Sequence, residues 1–307
     1  MKDQIITAVL IIAASCSLSL PADLIGKPVE KAPILVSTSW LAEHLNDPHL
    51  VVLNVAPIKG IYNRGHIPGA RFLWMGSLAI PTPELNFQLP PLKQLETAIS
   101  ALGISDDSRI ILCSVNGNVS PTARVYITLD YLGLGDQTSI LDGGFDVWKT
   151  EGRAVSKDVP KYAPGKFTPH LAKSAIVNAD FVKDRLHKSG VTIVDARSAD
   201  FYRGSGGTYP RPGHILGARN LYFATLFDTT NKYLPSDSLK AKFAVAGIPP
   251  GDDVVTYCHV GQTASAVYVA AKLLGHTPHL YDGSFEEWSS RDDLPVELPA
   301  KSDSLKK

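Results

Sequence analysis

The sequence VVTYCHVGQTASAVYVAAKLLG, residues 254–275, predicts a strand, a short loop and a helix in direct succession. Its first four residues are apolar or β-branched, as in a buried strand. After the loop, apolar residues recur at helical spacing up to a glycine stop, and they are Ala264, Val267, Ala271 and Leu274. Cys258 therefore lies between a strand end and a helix start. In a parallel sheet, ligands bind at this edge.

A thiol in this position is activated by its surroundings. Backbone N–H groups of the loop point at the sulfur, and the positive end of the helix dipole favours its anion. The thiolate is the nucleophilic form of cysteine. Gly261 lets the loop curl around the anion, and Thr263 is expected to cap the helix. A phosphatase loop would need an arginine where Ala264 stands, which argues against phosphate chemistry.

The same pattern occurs twice in the chain. GHIPGAR at 65–71 matches GHILGAR at 213–219, RIILC ends at Cys113 as DVVTYC ends at Cys258, and LDGGFDVW matches YDGSFEEW further on. The blocks recur in the same order, which indicates a tandem duplication. In each copy short apolar runs alternate with helical stretches, a pattern typical of a parallel sheet covered by helices. We predict units at 34–155 and 173–299, joined by an extended linker at 156–172 that is rich in proline.

The amino-acid composition of the chain argues against several classes of protein. The chain has 307 residues, no net charge and 44% hydrophobic residues. The charge balance argues against nucleic-acid binding through a basic surface, and the apolar fraction argues against a disordered chain. Three cysteines are too few for a disulfide framework, so Cys113 and Cys258 are expected to be free thiols.

The N-terminus predicts export. An apolar run, IITAVLIIAA at 5–14, follows Lys2 and precedes small residues, as in a secretory signal over residues 1–20. AASC at 13–16 also resembles a lipoprotein processing box, which would make Cys16 a lipid anchor and the only link to a membrane. Both alternatives stay open, and both place the protein outside the cytoplasm, in the periplasm or anchored to a membrane.

With these motifs, the chain from Ile34 to Leu298 resembles the two-domain rhodanese family of sulfurtransferases. The resemblance implies an α/β fold of tandem rhodanese-like domains, each a parallel sheet with helices on both faces. It also implies that Cys258 attacks the outer sulfur of a donor such as thiosulfate or 3-mercaptopyruvate. The cysteine would carry that sulfur as a persulfide and pass it to cyanide or another thiophilic acceptor, with no cofactor. Loop N–H groups that stabilise a thiolate would equally stabilise a persulfide anion.

The predicted donor site consists of the loop and two arginines from the preceding segment: His259, Val260, Gly261, Gln262, Thr263, Arg203 and Arg211. The resemblance places the two arginines facing an anionic donor, and the alternative is a solvated pair. Thiosulfate is favoured because no serine follows Cys258, and His259 could supply partial positive charge. A 3-mercaptopyruvate sulfurtransferase, and a persulfide carrier with little turnover, stay open as alternatives.

The first copy is predicted to be non-catalytic. In the resembling family it has usually lost its cysteine and serves as a scaffold. Here Cys113 stands at the matching strand end, but its loop is longer and contains Pro121, so it would not hold the same ring of N–H groups. Arg124 could still reach an anion from the following helix. His66 and His214 lack metal-ligand spacing, so we predict structural histidines and no metal.

Overall fold

The protein is built on two parallel β-sheets, one in each half of the chain. The structure, a computed structural model, describes residues 31–298. The predicted signal segment 1–20 and its candidate lipidation site Cys16 lie outside these residues, so export and anchoring stay predictions. Within residues 31–298, none of the helices has the length and apolar character needed to cross a membrane.

The strands of the first sheet are β1 (Leu35–Val36), β2 (Leu50–Ala56), β3 (Arg71–Trp74), β4 (Arg109–Cys113) and β5 (Thr138–Leu141). They pair in parallel in the spatial order β1-β5-β4-β2-β3. The helices of this half are α1 (Thr38–His44), α2 (Lys59–Arg64), α3 (Leu92–Ala101), α4 (Val119–Tyr131) and α5 (Gly144–Thr150).

The second half repeats this plan. Its strands are β6 (Ile176–Val177), β7 (Val191–Asp195), β8 (His214–Ile215), β9 (Arg219–Asn220), β10 (Asp253–Tyr257), β11 (Thr277–Tyr281) and β12 (Val296–Glu297). The parallel sheet has the order β6-β11-β10-β7-β9, while β8 and β12 form a separate antiparallel pair. The helices are α6 (Ala179–Lys183), α7 (Ala199–Tyr202), α8 (Ser236–Val245), α9 (Ala264–Leu273) and α10 (Ser284–Ser290).

Both faces of each sheet are covered by helices, which confirms the predicted fold class. In β2, Leu53 faces a core cluster shared with α3 and α4, whereas its neighbour Val52 faces a second cluster shared with α1 and α5. In the second sheet, Val254 faces α8 and α9, and Val255 faces α6 and α10. This alternation follows from the two-residue period of a strand, and apolar residues on both faces require cover on both sides.

The two halves share one hydrophobic core. A single cluster of buried residues runs from the first sheet through α4 and α9 to the second sheet. The eight residues from Ala264 to Ala271 in α9 are all buried, and α4 is buried over most of its length. The two helices pack directly against each other, so α4 and α9 form the joint between the domains.

The predicted linker runs along the first domain. Residues 157–172 contain no helix or strand. Their backbone is nevertheless tied down, because Gly165 donates to the carbonyl of Ser100 at 2.8 Å and His170 to that of Leu132 at 3.0 Å. An extended linker was expected from its prolines, and the unit boundaries 34–155, 156–172 and 173–299 stay predictions.

Candidate active site

Cys258 is the first residue after β10 and is completely buried, with 0% of its surface exposed. Its carbonyl accepts the N–H of Phe285 at 3.0 Å, and its own N–H donates to Oγ of Ser284 at 3.2 Å. Ser284 has a left-handed backbone with φ +51°, and its hydroxyl also donates to the carbonyl of Tyr281. The start of α10 thereby fixes the backbone at the cysteine.

The loop after Cys258 is a row of backbone N–H groups without acceptors in the part of the chain that the structure describes. Within residues 31–298, the backbone N–H groups of residues 259–263 donate to no protein acceptor. The predicted cap by Thr263 is wrong, because its side chain makes no capping bond and its Oγ1 is buried without a partner in this part of the chain. The N-terminus of α9 therefore keeps its unpaired donors beside Cys258, an arrangement suited to an anion.

His259 is held by aromatic neighbours. Its Nδ1 is hydrogen-bonded to the hydroxyl of Tyr209, and the ring of Phe201 stands edge-on to it at 4.5 Å between centroids. Burial lowers the pKa of His259 below its ordinary value, and the charge of Arg197 lowers it further. His259 is therefore neutral near pH 7, which is contrary to the expectation that it supplies positive charge.

Arg197 provides a fixed positive charge beneath this pair. Its guanidinium and the carboxylate of Asp195 are both fully buried, with Nη2 and Oδ2 2.6 Å apart. The guanidinium also stacks on Phe285, with Cζ 3.9 Å from the ring centre. Burial alone would lower its pKa, but the hydrogen bonds and charge of Asp195 outweigh this effect and raise the pKa of Arg197. For the tyrosine hydroxyl burial acts in the other direction: it raises the pKa of Tyr209 above its ordinary value, so the hydroxyl keeps its proton.

Sequence reasoning missed Tyr209 and Arg197 as members of the site. Arg197 follows β7, whose end lies beside that of β10, and this position was the available signal. Tyr209 lies in an irregular loop, where no spacing distinguishes it from its neighbours.

The two predicted donor arginines are hydrogen-bonded to groups outside residues 259–263. Arg203 is exposed on the surface and pairs with Asp200 at 2.9 Å. All three nitrogens of the Arg211 guanidinium are hydrogen-bonded, and their acceptors are the carbonyls of Trp288, Ser289, Arg291 and Leu294. Arg211 therefore binds the end of α10 and the segment after it, and four of its five guanidinium N–H groups are already used. Residues 259–263 follow Cys258 directly, whereas the hydrogen bonds of Arg203 and Arg211 go to other groups, and the donor-binding roles of all seven residues stay predictions.

The counterpart of Cys258 in the first domain is Ser114, not Cys113. The carbonyl of Ser114 accepts the N–H of Phe145 at 2.9 Å, as that of Cys258 accepts Phe285. In the sheets, Cys113 pairs with Asn54 at the register position where Tyr257 pairs with Asp195. The expected match of Cys113 with Cys258 is therefore wrong by one residue.

In the matching loop of the first domain, two backbone N–H groups are already hydrogen-bonded. The N–H of Gly117 donates to a carboxylate oxygen of Asp146 at 2.7 Å, and that of Asn118 donates to the carbonyl of Val115. Burial raises the pKa of the Cys113 thiol, and the charge of Asp146 raises it further. Cys113 is therefore an inert buried thiol at the end of β4.

The two histidines of the repeated motif are structural in this fold. His66 and His214 are buried, and each Nδ1 is bonded to a backbone carbonyl, that of Tyr62 or Tyr202. Each ring also stacks on the same tyrosine, with ring centroids 3.8 Å apart. Within residues 31–298 there is no cluster of three or more histidine, cysteine or acidic side chains that could hold a metal ion.

The described residues form two α/β domains, and the loop after Cys258 lies at the carboxyl edge of the second sheet with N–H groups that have no acceptor among these residues. These features define a class of thiol-dependent group-transfer protein. The family model for the rhodanese-like domain matches residues 37–151 and 178–291. The chain belongs to this family, as its motifs predicted, and it is a sulfurtransferase acting between a sulfur donor and a thiol-type acceptor.

Similar proteins cover the whole two-domain unit. The chain is 31% identical to the sulfur carrier protein TtuD of Thermus thermophilus over 86% of this chain and 96% of that protein. It is 29% identical to the thiosulfate sulfurtransferase of Azotobacter vinelandii, over 87% of this chain and 97% of that one. The crystal structure of SseA from Escherichia coli, a 3-mercaptopyruvate sulfotransferase, matches with a TM-score of 0.75 at 26% identity, over 83% of this chain and 99% of SseA.

Proposed function

We propose that this sulfurtransferase moves a sulfane sulfur from thiosulfate to a thiophilic acceptor such as cyanide, with Cys258 as the persulfide carrier. One observation carries the proposal. Cys258 lies at a strand-to-helix junction, and the N–H groups of the next five residues have no acceptor within residues 31–298. Donors arranged in this way stabilise a sulfur anion.

The transfer takes two steps at the same sulfur. The thiolate of Cys258 attacks the outer sulfur of thiosulfate, the S–S bond of thiosulfate breaks, and its electron pair leaves with sulfite. The product is a persulfide whose outer sulfur carries the negative charge. Cyanide then attacks this outer sulfur, the bond to Sγ breaks, and thiocyanate leaves while the thiolate returns. Negative charge stays inside the loop in both resting states, which is the charge that its N–H groups favour.

Thiosulfate is supported as donor by the residue after the nucleophile. That residue is His259, so the loop offers no hydroxyl at this point.

A second candidate donor, 3-mercaptopyruvate, is favoured by the Tyr209–His259 pair. When sulfur leaves mercaptopyruvate, the electron pair of the C–S bond stays on carbon, and the resulting enolate of pyruvate must take up a proton. Sulfite needs no such proton. Tyr209 and His259 are uncharged and hydrogen-bonded to each other, and His259 directly follows the nucleophile. The pair can therefore give the enolate a proton and regain one from the S–H group of the transferred sulfur, which leaves Cys258 as the persulfide anion.

The test is the intact mass of the protein before and after thiosulfate, with Cys258→Ser and Cys113→Ser variants alongside. We expect a gain of one sulfur, about 32 daltons, in the wild type and in Cys113→Ser but not in Cys258→Ser, and its removal by cyanide. A gain with 3-mercaptopyruvate alone would favour the second donor. A gain without steady thiocyanate formation would favour a persulfide carrier, and no gain with either donor would overturn the proposal.

A further inference from the structure

Arg124 reaches from the first domain into the loop that follows Cys258. It lies in α4, and only 1% of its side chain is exposed. Its Nη1 donates to the carbonyl of Gly261 at 3.3 Å, and its Nη2 donates to Oδ1 of Asp282 at 2.6 Å. Both acceptors belong to the second domain, so one guanidinium connects the domain without the nucleophile to the loop that encloses it.

The contact fixes the Gly261 carbonyl in one direction. This oxygen accepts a second hydrogen bond, from Oγ of Ser265 at 3.0 Å. Gly261 has φ +82°, and a Cβ at this position would lie 2.9 Å from Nη1 of Arg124. The loop therefore packs directly against the guanidinium, with no room for a side chain between them.

The direction of this carbonyl decides where the next N–H points. In a trans peptide the C=O and the following N–H point in opposite directions. Because the carbonyl of Gly261 is directed at Arg124, the N–H of Gln262 is directed away from that guanidinium. This N–H is one of those without a protein acceptor within residues 31–298.

Arg124 is itself held by both domains. The other carboxylate oxygen of Asp282 accepts the N–H of Leu89 at 2.8 Å, and the guanidinium lies over the ring of Phe87 at 5.3 Å. Leu89 and Phe87 belong to a first-domain segment that crosses to the second domain. The ion pair is nearly closed to solvent, so the guanidinium has little freedom to leave the Gly261 carbonyl.

We propose that Arg124 is a positioning residue for sulfur transfer. Through the carbonyl of Gly261 it orients the N–H of Gln262 toward the thiolate and the persulfide of Cys258. The inference rests on the proposed role of Cys258, and it gives the first domain a part in the chemistry of the second.

The test compares Arg124→Gln and Arg124→Lys with Arg109→Gln, all in a Cys113→Ser background. Arg109 is a matched control because it also donates to a backbone carbonyl and a side chain, those of Gln137 and Ser139, but within the first domain. The readouts are the pH profile of Cys258 alkylation by iodoacetamide and the rate of persulfide formation from thiosulfate. For Arg124→Gln we expect a profile displaced upward by about one pH unit and persulfide formation about tenfold slower near pH 7. Arg124→Lys should show a smaller change of the same sign, because one ammonium cannot hold both acceptors.

A further variant separates the loss of the Arg124 contact from a loss of folding. Arg124→Gln leaves Asp282 as an unpaired buried charge, so the double variant Arg124→Gln with Asp282→Asn is measured as well. If the double variant and Arg124→Lys both fold and both keep the wild-type profile and rate, the inference is wrong. The proposed function fails separately, when the wild type forms no persulfide and its Cys258 is alkylated no faster than Cys113.

Discussion

The hydroxyl of Tyr209 is hydrogen-bonded to Nδ1 of His259, the residue directly after the nucleophile. Since the tyrosine keeps its proton and the histidine is neutral, the hydroxyl can donate to Nδ1, which leaves the imidazole proton on Nε2. The pair thus offers one oriented N–H on the residue that follows Cys258. This N–H can assist the reaction only when the leaving group of the sulfur donor needs a proton.

The variant Tyr209→Phe should therefore separate the two donors. We expect kcat/KM with 3-mercaptopyruvate to fall about tenfold or more, while kcat/KM with thiosulfate changes less than about threefold. Both are measured as thiocyanate formation from saturating cyanide. Tyr202→Phe is the matched control, because Tyr202 also stacks on a histidine, His214, and its hydroxyl donates to a backbone carbonyl. Equal losses with both donors would contradict the proton-donor role.

His259 should also make stability depend on pH. Burial lowers the pKa of His259 in the folded protein, and Arg197 adds to this effect, whereas the unfolded chain keeps the ordinary pKa of about 6.5. The stability from this difference is present above about pH 6.5 and is lost as the pH falls toward the lower folded pKa. Urea unfolding at about pH 7.5 and about pH 5.5 should show a larger loss of unfolding free energy for the wild type than for His259→Asn. An equal loss in both proteins would show that His259 is not the group responsible.

Gly261→Ala should impair the site beyond its effect on the backbone. Gly261 and Gly251 both have a left-handed backbone, with φ +82° and φ +86°, but a Cβ at Gly251 meets nothing within 4 Å. Each alanine should cost about 1–2 kcal/mol of unfolding free energy through its φ. Only Gly261→Ala should also slow persulfide formation, by about tenfold or more, because its Cβ displaces Arg124 or the loop. Unchanged kinetics in Gly261→Ala would mean that the loop tolerates a side chain here.

Ser114→Cys should not create a second active cysteine. Ser114 has the backbone position of Cys258, but the N–H of Gly117 in its loop is already bonded to Asp146. A thiolate at this position would face a carboxylate instead of free donors. After thiosulfate, the intact mass of the variant should rise by one sulfur, as in the wild type. A rise by two would show that a cysteine at this position is sufficient for activity.

Arg211→Gln should weaken the fold more than donor binding. The guanidinium donates to four carbonyls after and within α10, and hydrogen bonds from a charged group contribute about 1.5–3 kcal/mol each. We expect the unfolding free energy to drop by about 2–4 kcal/mol, with KM for thiosulfate unchanged in the folded enzyme. Arg203→Gln, at an exposed ion pair, should alter stability by less than about 1 kcal/mol. A raised KM in Arg211→Gln would restore its predicted donor-binding role.

The central strands and the cysteine loop were predictable because their sequence patterns are local. The apolar runs 109–113 and 191–195 coincide with β4 and β7, since four of the five residues in each strand are buried. The two-residue edge strands, such as β6 and β9, are too short to leave a pattern. Here the pairing is set by tertiary contact rather than by propensity.

The errors at the site arise where a prediction depends on register or on distant partners. Aligning the copies by their cysteines put Cys113 in the place of Cys258, because an apolar run does not show which of its residues ends the strand. The partners of Arg211 lie some eighty positions further along the chain, and Arg124 contacts a loop in the other domain. A sequence motif cannot supply such contacts; only the folded chain does.

At the joint between α4 and α9, equivalent positions of the two copies hold different residues. Two identical subunits related by a twofold axis must place the same residue at both equivalent positions of their interface. In this chain Arg124 of α4 corresponds to Ala266 of α9, since each precedes the matching Val-Tyr pair. One copy can thus carry the arginine and the other the nucleophile. Within one duplicated chain, positions 124 and 266 can hold different residues, so the two domains can take different roles.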